Sequence, residues 1–339
     1  MDAPGKTGGR LAYADGLRVL AAFAVIVLHV SVGWLWKAPD GSADQAVLLT
    51  YDALVRWCVP LFVLLSGMFL LDPAKPLPRR KLAGHILRVL VSLLAWGSFY
   101  AVITYGRPDG RFTASGVLEA LLHVARADTH YHLWFLYMIL GLYLVTPVLR
   151  AFLRGAEEGD VTWFLLLFLV FGSVLPLLAY YLPGLSIPKW LELLGVPAGY
   201  MGCYLAGWYL RSRRLSPAAE GWVYALGGAG LAFTVWQGGA VFGYLTPNVL
   251  FATAAVFLLF RRLLGGMGPH KLLDVLSDRS FGIYLVHPFF ILVLDHFGLT
   301  TLVFPPPVSV PVLSLLVFAA SFALSWALGK VPVVGRYLT

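Results

Sequence analysis

The sequence is short of charged residues and of cysteine. Only 12% of its 339 residues are charged, and its two cysteines are Cys58 and Cys203. So few charges are untypical of a soluble domain. Two cysteines within apolar runs exclude a disulfide framework, and packing is their expected role, with a thiol nucleophile as the alternative. The eight histidines show no close pairing with cysteine, so no metal is expected.

Long apolar runs dominate the chain instead. Hydrophobic residues make up 59% of it and the mean hydropathy is +0.80, as in membrane proteins. The runs predict one all-α, polytopic membrane domain over residues 1–339, with a cytoplasmic tail at 1–14 and about ten transmembrane helices. The predicted helices span residues 16–36, 47–71, 86–105, 132–149, 161–182, 196–210, 222–236, 248–260, 281–294 and 308–328.

Lysine and arginine are divided unequally between the two sides of this topology. Seventeen fall on the side of the two chain ends, and five fall in the opposite loops. Those five are Lys37, Arg107, Arg111, Arg126 and Lys189. Because cytoplasmic loops carry the excess of Lys and Arg, both termini are predicted to be cytoplasmic. The formal charge of +8 is therefore a topology signal, and no basic cluster interleaved with aromatic residues indicates a nucleic-acid partner.

The first apolar run carries two ionisable side chains, Arg18 and His29. Their spacing is about 20° more than three helical turns, so both lie on one helix face, roughly 16 Å apart along the axis. Ionisable groups within a membrane are costly and indicate function by default. His29 is a candidate general base, since a neutral imidazole can accept a proton. A snorkelling arginine with a structural histidine is the alternative interpretation.

Polar groups recur in the second and third predicted helices. Arg56 needs a partner or an aqueous cavity, and Asp52 lies one turn away. Ser66 precedes Gly67 towards the cytoplasmic end, where such a pair often forms a packing notch. At the start of the third helix, His85 and Arg88 share a face. These two basic groups predict either anchoring to anionic lipid or a phosphate site for a polyanionic donor.

Two later segments place unusual histidines in membrane helices. His132 and Trp134 open the fourth predicted helix on the outer side, where Trp alone is ordinary for the interface. Tyr284 and His287 share a face of the ninth, and Pro288 removes a backbone hydrogen bond there.

Four blocks together resemble the acyltransferase-3 family of bacterial integral-membrane acyltransferases. They are Asp15-Gly-Leu-Arg18 followed by His29, Pro60-Leu-Phe followed by Ser66-Gly67, His132-Leu-Trp-Phe-Leu, and Ser280-Phe-Gly-Ile-Tyr284-Leu-Val-His287-Pro288. The resemblance covers essentially the whole chain and is to stand-alone members similar to surface-polysaccharide O-acetyltransferases. The chain departs from the family pattern at two positions, with His85 where Arg is frequent and Met68 where Phe is frequent.

The resemblance implies a reaction and a set of roles. An acyl group, most commonly acetyl, would pass from cytoplasmic acyl-CoA to a hydroxyl of an extracytoplasmic cell-envelope glycan or lipid-linked sugar, at the inner membrane. His29 and Arg18 are then the catalytic candidates, and Arg18, Ser66, His85 and Arg88 are the candidates for binding acyl-CoA. The candidates for the acceptor path, or for supporting His29, are Arg56, His132, Trp134, Tyr284 and His287. Direct transfer and a transient acyl-enzyme both stay open.

A proton-coupled transporter of glycan or lipid is the main alternative, because buried arginine and histidine are also typical of carriers. Such carriers often contain an internal repeat, and the two halves of this sequence show no convincing similarity. A catalytically idle assembly partner is a third possibility that no feature favours.

Overall fold

The computed structural model describes residues 10–106, 113–126, 128–182, 199–238 and 243–339. The structure is 80% helical, and no strand occurs within these ranges. In chain order the α-helices are α1 (Ala12–Gly33), α2 (Ala43–Val55), α3 (Cys58–Leu70), α4 (Arg79–Tyr105), α5 (Ala114–Ala125), α6 (Trp134–Gly155), α7 (Glu158–Leu169), α8 (Leu175–Tyr181), α9 (Gly199–Ser212), α10 (Pro217–Trp236), α11 (Pro247–Leu264), α12 (Lys271–His296), α13 (Pro306–Leu328) and α14 (Pro332–Tyr337).

The prediction of an all-α polytopic membrane protein is confirmed. Seven helical segments within the described ranges are long and apolar enough to cross a membrane. The count of ten spans and the cytoplasmic termini stay predictions. The predicted tail falls mostly on residues 1–9, and the predicted start of the sixth span falls on residue 196, so both lie outside the described ranges. So do the outer-loop basic residues Arg107, Arg111 and Lys189.

Helix α1 lies at the centre of the bundle and packs against α2, α3, α11, α12 and α13. Its sequence explains this position, because small residues such as Ala21 and Ala22 and larger apolar residues such as Ile26 leave apolar side chains on most faces of the helix. A helix that is hydrophobic all round is buried. The fold therefore carries Arg18 and His29 into the middle of the molecule.

Helices α3 and α9 approach each other closely through glycine. A Cβ atom on Gly67 would overlap the carbonyl of Tyr204, and one on Gly207 would overlap the carbonyl of Leu64. Small residues at such a crossing let two backbones meet. The packing-notch interpretation of Gly67 is therefore confirmed, and its neighbour Ser66 faces a cavity instead.

The predicted second span is not one continuous helix. It divides at Arg56 and Trp57 into α2 and α3. Pro60 accounts for the break, because it has no N–H to donate to the carbonyl four residues earlier. Two other expectations need correction, since the fourth helix begins at Trp134 and leaves His132 before it, and the predicted outer loop 106–130 contains α5.

Arginines on the predicted cytoplasmic side hold helix ends. Arg150 Nη1 donates to the carbonyl of Leu70 at 2.8 Å, and Arg211 Nη1 donates to that of Met68 at 3.0 Å, both at the end of α3. Arg261 donates to carbonyls at the end of α9. The last carbonyls of a helix lack internal donors and form the negative end of its dipole. Some of the arginines whose distribution predicts the topology therefore cap the C-terminal ends of helices.

Candidate functional site

A cavity of about 370 Å³ opens between α1, α3, α4, α6 and α12. Five predicted site residues line it, namely Arg18, Ser66, His85, Arg88 and Tyr284. They come from four helices and span 267 positions of the chain. This volume lies within the range of ligand sites, about 300–1,000 Å³. The cavity is the first candidate for a substrate site.

Asp15 anchors the arginine of this cavity. The carboxylate of Asp15 is buried, accepts from Arg18 Nη1 at 3.0 Å and from Ser277 Oγ at 2.6 Å, and also pairs with Arg10 Nε at 3.1 Å. Hydrogen bonding to Asp278 raises the pKa of Arg10, which lies before α1. Arg18 stacks over Phe69, 4.5 Å from the ring centroid. Its guanidinium is thus oriented towards the cavity wall while a third of the side chain stays exposed.

The basic lining continues towards the predicted cytoplasmic face. Arg88 lies 5.0 Å over Phe281 and donates to the carbonyl of Thr339. Its Nε atom has no hydrogen-bond partner among the described residues. A second cavity, of about 600 Å³, shares His85 and Arg88 with the first and adds Arg80 and Lys81. The two cavities adjoin at His85 and Arg88, and apart from Asp278 in the first, their charged lining is basic and suited to an anionic ligand. We call the two cavities together the basic channel.

His29 and His287 form a hydrogen-bonded pair. His29 Nδ1 lies 2.7 Å from His287 Nε2, and the rings are nearly parallel with centroids 5.0 Å apart. His287 Nδ1 lies 2.7 Å from the carbonyl of Tyr284. His287 is fully buried, whereas His29 is partly exposed beside Tyr131, whose ring centroid is 4.8 Å away. His29 is therefore the member of the pair that an incoming molecule can reach.

Two more histidines adjoin this pair. The His132 ring is 5.5 Å from that of His287, and its Nδ1 lies 3.0 Å from His130 Nδ1. Burial lowers the pKa of His130, which lies outside the spans, to about 4. It therefore stays neutral near pH 7. No group of three or more His, Cys, Asp or Glu residues within the described ranges is arranged to hold a metal ion.

Three aromatic rings of the cavity lining contact one another, and one of them, Tyr284, also contacts the histidines. Phe62, Phe135 and Tyr284 all line the cavity, with ring centroids 5.7–6.4 Å apart. The Tyr284 hydroxyl donates to the carbonyl of His132, so this residue also touches the histidine side. We call these three rings the aromatic layer.

Arg56 and Trp134 lie in a separate cluster and do not line the cavity. Arg56 Nη2 pairs with Asp52 Oδ2 at 2.7 Å, which is the pairing expected if Arg56 has a structural role. The Arg56 guanidinium lies 5.7 Å from the ring of Tyr244, and that ring is nearly parallel to Trp134 at 5.8 Å. Trp134 contacts Phe135 of the aromatic layer, with centroids 6.3 Å apart. The cluster thus adjoins the aromatic layer through this contact.

Sequence reasoning missed several residues of the site. Tyr143 and Phe281 line the cavity, and His130 and Tyr131 adjoin the histidine pair. Tyr143 and Phe281 read as ordinary apolar membrane residues. The two neighbours His130 and Tyr131 carried a signal, since they directly precede the His132 block.

The apolar helices and the cavity among them define an integral-membrane protein with a candidate ligand site. A family model described as an acyltransferase domain matches residues 11–330. The chain therefore belongs to the acyltransferase-3 family, and it is a multi-pass membrane acyltransferase. No curated protein and no solved structure matches it.

Proposed function

We propose that the protein transfers an acetyl group from cytoplasmic acetyl-CoA to a hydroxyl of an extracytoplasmic cell-envelope glycan, at the inner membrane. One observation carries the proposal. A cavity lined by Arg18, His85 and Arg88 is also lined by the aromatic layer, and the His29–His287 pair adjoins that layer through Tyr284. A polyanionic donor and a general base are thus held by neighbouring parts of one site.

The donor would occupy the basic channel from the predicted cytoplasmic side. Arg18 and Arg88 would bind phosphate groups of CoA, with Arg80, Lys81 and His85 along the entrance. The apolar part of the cavity suits the pantetheine arm. In this proposal the pantetheine arm passes the aromatic layer, of which Tyr284 contacts His287, and so brings the thioester to His29.

The acceptor hydroxyl would approach His29 from the opposite side. His29 takes the hydroxyl proton as the oxygen attacks the thioester carbonyl, a C–O bond forms, and the C–S bond breaks. The proton then passes from His29 to the departing CoA sulfur, so the reaction consumes no net proton. The ion pair of Arg56 and Asp52, with the rings of Trp134 and Tyr244, offers polar groups and flat apolar surfaces for a sugar.

Reconstitution tests the function directly. The purified protein would be placed in liposomes with radiolabelled acetyl-CoA on one side and envelope glycan on the other. We expect the label to appear in the glycan as an ester. Movement of unmodified glycan without labelling would instead identify a transporter.

Donor binding should depend on the channel arginines. We expect Arg18→Ala and Arg88→Ala each to weaken acetyl-CoA binding by roughly tenfold or more, since a charged hydrogen bond contributes about 1.5–3 kcal/mol. Titration calorimetry measures this affinity. Arg154→Ala, at an exposed position on the same side, is the control and should bind normally. Native affinity in both channel variants would place the donor elsewhere.

Orientation can be tested separately. Reporter fusions should place residues 75–81 and 211–214 in the cytoplasm and residues 106–130 outside, because the Lys and Arg excess lies on the first side. A cytoplasmic reporter signal within 106–130 would reverse the proposed direction of transfer.

A further inference from the structure

Helix α12 interrupts its own hydrogen bonding beside the histidine pair. Pro288 has no N–H, so the carbonyl of Tyr284, four residues earlier, lacks its helical donor. His287 Nδ1 lies 2.7 Å from this carbonyl. The side chain of His287 thus replaces the backbone N–H that Pro288 lacks as the donor to this carbonyl.

This bond determines which nitrogen of His287 carries a proton. A carbonyl oxygen only accepts, so Nδ1 must carry the hydrogen. A neutral imidazole has one N–H, and Nε2 of His287 is therefore an acceptor. His287 is fully buried, and no carboxylate is hydrogen-bonded to either ring among the described residues. Burial without a counter-ion favours the neutral ring.

The tautomer of His287 in turn determines the tautomer of His29. Because His287 Nε2 accepts, His29 Nδ1 must donate across the 2.7 Å contact. The lone pair of neutral His29 is thereby left on Nε2. This is the form a general base needs, with one nitrogen held by a hydrogen bond and the other able to take a proton.

We propose that Pro288 is a positioning residue that fixes the tautomers of His287 and His29 and so leaves Nε2 of His29 for the acceptor hydroxyl. The inference rests on the proposed role of His29 as base. The effect of Pro288 is transmitted by hydrogen bonds, first from the carbonyl of Tyr284 to His287 and then from His287 to His29.

The same helix interruption occurs elsewhere without a histidine. Pro311 in α13 leaves the carbonyl of Pro307 without a helical donor, and the hydroxyl of Tyr51 donates to it at 3.1 Å. Pro311→Ala is therefore a matched control for Pro288→Ala. Both variants restore a backbone N–H next to a carbonyl that already has a side-chain donor, and alanine favours the helix in each. Neither substitution is expected to prevent folding.

The first measurement is NMR of the full-length protein in bilayers, with histidine labelled by the NMR-active nitrogen isotope and signals assigned through His29→Gln and His287→Gln. In the native protein and in Pro311→Ala we expect both rings as Nδ1–H tautomers. In Pro288→Ala the new N–H competes for the Tyr284 carbonyl, so His287 and His29 should each show a mixture. The same mixture in the native protein, or unmixed Nδ1–H rings in Pro288→Ala, would overturn the proposal.

The second measurement is the pH profile of acetyl transfer. The titratable groups around the pair are His130, Tyr131 and His132 before α6, Tyr100 on α4 and Tyr284 on α12. We expect Pro288→Ala to lower kcat about tenfold and to change its pH profile, with KM for acetyl-CoA unchanged. Pro311→Ala should keep the native profile. Native kcat and profile in Pro288→Ala would contradict the proposal.

The two measurements separate this inference from the proposed function. If His29→Ala keeps full activity, His29 is not the base, yet the NMR signals still report whether Pro288 sets the tautomers. If His29→Ala is inactive and Pro288→Ala matches the native protein in both measurements, His29 keeps its role as base and Pro288 is not a positioning residue.

Discussion

The His29→Ala variant is expected to insert and fold but to lose acetyl transfer by a factor of about 10²–10⁴, or about 3–5 kcal/mol of barrier. The reason is that His29 is the partly exposed member of a hydrogen-bonded pair whose other member is buried. Turnover per folded molecule, measured with radiolabelled acetyl-CoA and the glycan, reports the loss.

Substitution of His29 by glutamine distinguishes a role as proton acceptor from a purely hydrogen-bonding role. His29→Gln keeps a hydrogen-bonding group towards His287 but cannot take a proton at neutral pH. We therefore expect it to be as inactive as alanine, with thermal stability closer to native. His296→Ala, an exposed histidine at the end of α12, is the control and should keep native turnover. Near-native turnover in His29→Gln would reassign the base, with His287 as the next candidate.

The second large effect is on folding. Gly67→Ala should destabilise the protein by at least about 3 kcal/mol, at the upper end of overpacking costs. The added methyl group would overlap the carbonyl of Tyr204, and a backbone atom cannot rotate away as a side chain can. The crossing of α3 and α9 would have to separate.

The protein contains a reporter for this change. Cys58 and Cys203 are buried free thiols on the two helices concerned. A thiol-reactive fluorophore during a thermal ramp therefore records when α3 and α9 open. Gly141→Ala, where an added Cβ meets no atom within 4 Å beyond its chain neighbours and its own helix backbone, should melt at or above the native temperature, because alanine favours a helix over glycine. Equal melting of the two variants would show that the crossing tolerates a methyl group.

Much of this architecture follows from local sequence. Apolar runs predict the membrane helices because a bilayer requires continuous apolar length. Arg56 predicts its partner Asp52 because a buried charge one turn from a carboxylate pairs with it. Even the break between α2 and α3 has a local cause in Pro60. Helix α5 was missed because its twelve residues are too few to span a membrane.

The site could be predicted only in part. The sequence predicts Arg18, Ser66 and Arg88 in one region, because each lies towards the cytoplasmic end of its helix. All three line the cavity. The pairing of His29 with His287 joins residues 258 positions apart, and it depends on which helices pack against α1. Sequence periodicity gives the face of a helix but does not identify the helix that meets it. The histidine-proline dipeptide was the available signal, since it predicts a freed carbonyl.

The aromatic layer bears on the electrical state of the membrane. Under the proposed function, with the donor on one face and the acceptor on the other, a passage wide enough for a thioester arm would also admit water and protons. A membrane at 100 mV drives each elementary charge with about 2.3 kcal/mol. The rings of Phe62, Phe135 and Tyr284 meet edge-to-face or tilted, with centroids 5.7–6.4 Å apart, and would fill such a passage with largely apolar material. If the proposed transfer takes place across the membrane, these rings would limit the leak of ions through the site, and the reaction would not collapse the membrane potential.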